Sequence, residues 1–171
     1  MSRSRIEQAD FDALIAERGG RWYQACLRIT GDPGLAEDAV QDALLKAWHR
    51  RDQFRAAAEL STWVHRIAIN AAIDLLRRDR RHPEAVVDAE PVTEEGPADH
   101  QHQQQMGRDL DSALTQLTEV ERICFVLKHL QQWRLEEIAS AQAATLGSVK
   151  QALFRALKKL RVSMEPWRNP A

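Results

Sequence analysis

The chain has 171 residues, 24 basic and 25 acidic, and a formal net charge of −1. That length holds one medium domain or two small ones, each with a modest core. With 44 % apolar and 29 % charged residues the balance is that of an ordinary water-soluble protein, and no apolar run approaches the roughly 20 residues of a membrane helix.

The start, Met1-Ser2-Arg3-Ser4-Arg5-Ile6, has no apolar signal core behind its charges, so the expected location is the cytoplasm. Helical periodicity dominates the chain and no convincing strand pattern is found. Residues 8–29 read as a first helix with Phe11, Leu14, Ile15, Trp22, Cys26 and Ile29 on its apolar side, interrupted near Gly19 and Gly20. Residues 30–34, Thr-Gly-Asp-Pro-Gly, are turn chemistry.

A second helix is expected over 35–51. On a wheel of 100° per residue, Leu35, Ala36, Ala39, Val40, Ala43, Leu44, Ala47 and Trp48 fill one arc. Opposite them lie Asp38, Gln41, Asp42, Leu45 and His49. A leucine ringed by acids on a solvent face is either a stray apolar residue or part of a protein-binding surface.

A third helix is expected over 61–81, with Ser61 or Thr62 as N-cap. Val64, Ile67, Ala68, Ala71 and Leu75 read as core, with His65, Arg66, Asn70, Asp74, Arg77, Arg78 and Arg81 toward the other side. The cluster Arg77, Arg78, Arg80 and Arg81 suits either a phosphate backbone or the dipole at a helix C-terminus. Asn70 is either an exposed helix amide or a group that pairs with a base edge.

Residues 82–105 hold three prolines, many acids and few large apolar side chains. This reads as a flexible connection and argues for two domains, since so long a structureless stretch inside one compact unit is rare. His100 and His102 within it read as solvated rather than metal-bound. Charge follows the same division. Residues 1–82 carry 14 basic and 12 acidic groups, 83–109 carry 1 and 7, and 110–171 carry 9 and 6. Any DNA contact must therefore come from local patches.

The last block reads as four helices, about 108–116, 119–130, 135–142 and 146–164, with Pro166 ending the last. Within it, Leu135, Ile138 and Ala139 pack a short helix against Val149, Leu153, Leu157 and Leu160 of the next. The outward face of that second helix carries Lys150, Gln151, Phe154, Arg155 and Lys158. A recognition helix needs such cations and amides, although many amphipathic hairpins share the spacing. Cys26 and Cys124 read as reduced core residues, and no zinc spacing is present.

Taken in order, these segments resemble the extracytoplasmic-function sigma factors of the sigma-70 family. The resemblance is carried by AEDAVQ at 36–41, TWVHRIAINAAID at 62–74, LTEVERICFVLK at 117–128, EIA at 137–139 and GSVK at 147–150. It implies an all-α protein of two small helical domains joined by a flexible acidic linker. Sigma region 2 would occupy 1–82, the linker 83–107, and a region 4 helix-turn-helix 108–171.

It also implies roles. Asp38, Gln41, Asp42, Leu45 and His49 would dock on the clamp helices of the largest polymerase subunit, and region 4 on the flap. Phe54, Arg55, Leu60, Ser61, Thr62, Trp63, Arg66, Asn70, Arg77, Arg78 and Arg81 would melt, read and hold the −10 element. Ser148, Lys150, Gln151, Phe154, Arg155 and Lys158 would contact the −35 element. The partners implied are core RNA polymerase, promoter DNA and an anti-sigma factor, often membrane-linked. No catalytic residue, metal, cofactor or small-molecule substrate is expected. Three positions depart from the family pattern: Ala143 replaces a usual glycine, Gln142 a usual aliphatic and Arg134 a usual N-cap serine. The loop 56–60 lacks the glycine and aromatics often found there, implying a base pocket that is either shallower or differently selective.

Three other readings are weighed against this one. A sigma-like decoy needs no DNA face. A stand-alone helix-turn-helix regulator leaves the first 80 residues unexplained. An enzyme requires a phosphate loop, metal set or nucleophile–base spacing that the sequence does not display.

Overall fold

A computed structural model of the chain describes residues 6–55, 59–80 and 98–168, and among these no strand forms. The chain divides into two compact units, Met1–Val87 and Asp88–Ala171.

The first unit is built on α1 (Gln8–Thr30), α2 (Pro33–His49) and α3 (Leu60–Asp79), each packed on the other two. Helix α1 runs unbroken through Gly19 and Gly20, where an interruption was expected. Propensity is a weak prior, and the packed side chains Phe11, Trp22, Cys26 and Ile29 hold the helix on both sides of the pair. It stops at Gly31, whose φ of 68° lets its N–H reach Leu27 O at 2.8 Å. Asp32 then caps α2: its Oδ1 accepts from Leu35 N at 2.8 Å, with Pro33 in the first turn.

Ala36, Ala39, Ala43 and Ala47 are fully buried along one stripe of α2. Small side chains at this spacing let neighbouring backbones approach closely, so the core is filled by larger groups from α1 and α3. These include Trp22, Ile29, Val64, Ile69 and Ile73. The thiol of Cys26 reaches Ala68 O at 3.6 Å, and burial pushes its pKa up to about 12. Helix α3 buries Ile69, Ala72, Ile73 and Leu76 as well as the expected Val64, Ala68 and Ala71, whereas Ile67 and Leu75 are half-buried. Its N-cap is Glu59, without a side-chain cap bond, rather than Ser61 or Thr62.

The second unit comprises α4 (Ala98–Leu114), α5 (Glu119–Phe125) continuing as a π-helical turn (Val126–Leu130), α6 (Leu135–Ala141), α7 (Leu146–Ser163) and α8 (Glu165–Arg168). Helix α4 starts ten residues before the expected position, so 98–107 is helical where a structureless stretch is expected. Glutamine and methionine are good helix formers, and tertiary contacts add to that preference. Trp167 Nε1 donates to Asp109 Oδ2 at 2.8 Å, and the His102 ring stands edge-on to the Trp167 indole at 4.8 Å. Pro166 does not end α7. It lies in the first turn of α8, where its missing N–H costs nothing.

The core of this unit holds Leu117, Ile123, Cys124, Val126, Leu127, Ile138, Val149, Ala152 and Ala156. Cys124 is buried, which pushes its thiol up to about 11.

Candidate polymerase- and promoter-binding surfaces

In the first unit, the exposed face of α2 carries Asp38, Gln41, Leu45 and His49, with Asp42 half-buried beside them. Leu45 is 60 % exposed, although every buried position of the same helix is apolar. Asp42 Oδ2 pairs with Lys46 Nζ at 2.7 Å, and Gln41 Nε2 donates to Glu37 Oε1 at 3.4 Å. An apolar side chain of this size left in water, framed by charge, is what a small specific protein contact requires.

After α2 the chain turns through a short 3₁₀ segment, Arg51–Gln53. Arg51 stacks its guanidinium 4.3 Å from the Trp48 ring centroid and donates from Nη1 to Trp48 O at 2.8 Å. Phe54 follows, and its ring meets Trp63 with centroids 5.4 Å apart at 49°. Both rings are half-buried, and Leu60 and Ser61 are half-buried alongside an exposed Thr62. Arg55 is exposed ahead of them, and 56–58 lie outside the described residues.

Farther along α3, Arg66 and Asn70 are exposed and one turn apart; Asn70 Nδ2 donates to Arg66 O at 3.0 Å. Arg77 Nη1 lies 3.9 Å from Asp74 Oδ1, and Arg78 is exposed. Arg81 lies outside the described residues.

In the second unit, α6 and α7 form a helical hairpin. Arg134 stands at the N-cap of α6, and its backbone N–H is met by Glu137 Oε2 at 2.9 Å. An arginine side chain has no acceptor to offer the helix, so this supplies only half of a capping box. The turn out of α6 has the hydrogen bonds of a Schellman motif. Ala144 N donates to Ala139 O at 2.9 Å and Ala143 N to Ser140 O at 3.2 Å, with Ala143 at φ 49°. Gln142 Nε2 is buried there with no hydrogen-bond partner. Thr145 caps α7, its Oγ1 accepting from Ser148 N at 3.1 Å and sharing a hydroxyl bond with Ser148 Oγ.

The outward face of α7 presents Lys150, Gln151, Phe154, Arg155 and Lys158, all exposed, with Phe154 at 70 %. Beneath it sits Glu121 of α5, 2 % exposed. Its Oε1 accepts from Arg155 Nε at 3.2 Å and its Oε2 from Lys159 Nζ at 2.7 Å and Thr118 N at 3.0 Å. Burial pushes the Glu121 carboxyl up. The bonds from Lys159, Thr118 and Arg155 outweigh it and hold the group below the usual glutamate range.

Two family models match this chain. Sigma-70 region 2 spans residues 14–82, and Sigma-70, region 4 spans residues 107–160. The chain is 30 % identical to the ECF RNA polymerase sigma factor SigW of Bacillus subtilis, over 94 % of this chain and 95 % of that one. With the ECF sigma factor SigM of Mycobacterium tuberculosis it shares 35 % identity over 88 % of this chain and 74 % of that one. The chain belongs to the extracytoplasmic-function sigma factors of the sigma-70 family. In fold it is similar to the sigma factor RpoE of Bartonella quintana, solved with the anti-sigma factor NepR. That match has a TM-score of 0.62 at 23 % identity and covers 91 % of this chain and 97 % of that one. It is also similar to CnrH, solved with the cytosolic domain of CnrY, at a TM-score of 0.54 and 23 % identity, covering 93 % and 90 %.

Two features of this sigma factor lie beyond helical periodicity. Glu121 is one acid of the 117–128 run, and its signal in the sequence is the capping-box spacing from Thr118. The Phe54–Trp63 ring contact joins residues on either side of a loop, a relation that helical periodicity does not encode. Among the described residues no helix is long and apolar enough to cross a membrane, and no group of three or more His, Cys, Asp or Glu is placed to hold a metal ion.

Proposed function

We propose that this chain binds core RNA polymerase and directs it to a class of promoters, contributing no catalytic group of its own. The observation that carries the reading is Leu45, 60 % exposed on a helix whose opposite side buries a stripe of four alanines, in a chain of the sigma-70 family. The α2 face with Asp38, Gln41, Asp42, Leu45 and His49 docks on the polymerase clamp helices. The first unit opens the −10 element: Phe54, Arg55, Leu60, Ser61, Thr62 and Trp63 form the rim that receives an unstacked base. Arg66 and Asn70 read beside it, and Arg77, Arg78 and Arg81 hold the backbone. The second unit contacts the polymerase flap and reads the −35 element through Ser148, Lys150, Gln151, Phe154, Arg155 and Lys158. Functionally the chain divides into 1–82, a connection and a C-terminal reader.

An anti-sigma partner belongs to the same reading. RpoE and CnrH, similar in fold, were solved with the anti-sigma factor NepR and with CnrY, and a protein covering the α2 face would block polymerase. The protein acts where polymerase acts, in the cytoplasm. The test is assembly: the purified chain co-elutes with core polymerase and competes with another sigma factor for it. Separate elution at micromolar concentrations of both would refute the reading.

A further inference from the structure

Glu121 is the only charged residue in the buried set among the described residues, and it lies under the exposed reader face of α7. Both of its oxygens are taken. Oε2 serves the α5 cap through Thr118 N and the ammonium of Lys159, whereas Oε1 is given to Arg155 Nε. Arg155 needs no such partner for stability, because its side chain is 55 % exposed and water would solvate it.

The geometry has a specific consequence. Gln151, Arg155 and Lys158 stand at i, i+4 and i+7 on one face of α7. A free arginine in that row would sample many rotamers. Arg155 is instead tethered at Nε, and its two terminal nitrogens make no hydrogen bond among the described residues. The guanidinium fork is the group that grips a guanine edge or a phosphate with two parallel bonds.

We propose that Glu121 is a positioning residue for promoter readout: it anchors Arg155 from below, so that the terminal nitrogens of the guanidinium meet the −35 DNA as a fixed fork. The inference rests on the sigma factor reading. It also assigns a second effect to the same carboxylate. One negative charge set beneath two cations lowers the general attraction of this face for phosphate, so Glu121 exchanges non-specific affinity for discrimination.

The test uses holoenzyme formed from core polymerase and the full chain, on a promoter with its −35 element intact or replaced, in competition with non-promoter DNA across a salt series. Glu121→Gln places an amide N–H against donors and removes the charge. It is expected to reduce discrimination between the two promoters about tenfold. It is also expected to steepen the salt dependence of non-promoter binding by about one unit of log–log slope. Glu121→Asp keeps the charge but is one methylene short of Arg155, so discrimination falls while the slope stays. Thr118→Ala removes the cap hydroxyl alone, lowering thermal stability and leaving discrimination intact. In an Arg155→Ala background, Glu121→Gln causes no further loss of discrimination.

Wild-type discrimination in both Glu121 variants overturns the proposal, as does an equal loss from Glu121→Gln with and without Arg155. Should Glu121→Gln fail to fold, Glu121→Asp decides by the same readouts. A wild-type holoenzyme that assembles but ignores the −35 replacement overturns the −35 reading itself, an outcome distinct from failure of the variants.

Discussion

Phe54 and Trp63 meet across the loop between α2 and α3, ring centroids 5.4 Å apart and planes at 49°. One ring comes from the end of a 3₁₀ turn and the other from the first turn of a helix, so the contact ties the two elements together. Both rings are half-buried, and neither is part of the packed core.

Phe54→Ala should therefore impair DNA opening far more than folding. We expect several-fold slower open-complex formation on duplex promoters, measured by permanganate reactivity, and near-normal initiation on a template already melted at the −10 element. A defect of equal size on both templates would place Phe54 elsewhere in the mechanism.

Leu45→Glu adds a charge to a face that is already acidic and buries nothing new. Core polymerase affinity should fall by about tenfold or more, as for a central interface anchor. Helix content should be unchanged and the unfolding free energy should stay within about 0.5 kcal/mol of wild type. Undiminished co-elution with core polymerase would exclude α2 as the docking face.

The turn between α6 and α7 holds two residues that do not suit their sites. Ala143 adopts φ 49°, a region that costs a residue with Cβ about 1 kcal/mol or more, and Gln142 buries an amide nitrogen without a partner. Ala143→Gly and Gln142→Leu should each stabilise the second unit by about 0.5–1 kcal/mol, read from urea midpoints. A lower midpoint for Ala143→Gly would mean that backbone entropy outweighs the relief of strain.

Much of this was legible in the sequence. The helical periodicity, the Gly31–Asp32–Pro33 turn and the acid-ringed Leu45 all follow from local chemistry, and the structure keeps them. The departures lie where distant contacts outvote local signals. Gly19 and Gly20 do not break α1, because packed residues on both sides hold it, and α4 extends back to Ala98 with Trp167 set against Asp109. Glu121 was hidden for the same reason: its partners Arg155 and Lys159 are 34 and 38 residues away.

Glu121 also gives stability a pH signature. Its folded-state pKa is lowered, so the unfolded chain takes up the proton first as pH falls. The stabilisation is fully present above the ordinary glutamate pKa of about 4.3 and is lost as pH drops through the folded-state value. The difference in unfolding midpoint between wild type and Glu121→Gln should shrink over that acid range. A constant difference from neutral pH downward would contradict the carboxylate's charged role.

The two thiols should be inert in the native protein. Cys26 and Cys124 are fully buried, with pKa values pushed to about 12 and about 11. Thiolate is the reactive form, so iodoacetamide at neutral pH should label neither until urea unfolds the chain. Rapid labelling under native conditions would show that the cores open readily.

The most direct test of the central claim is transcription from purified parts: core polymerase, a library of fragments from the source genome, and this chain present or absent. The account predicts new start sites, seen only with the chain, that share one −35 and one −10 element at a fixed spacing. A chain that leaves the pattern of start sites unchanged while bound to core polymerase would contradict it.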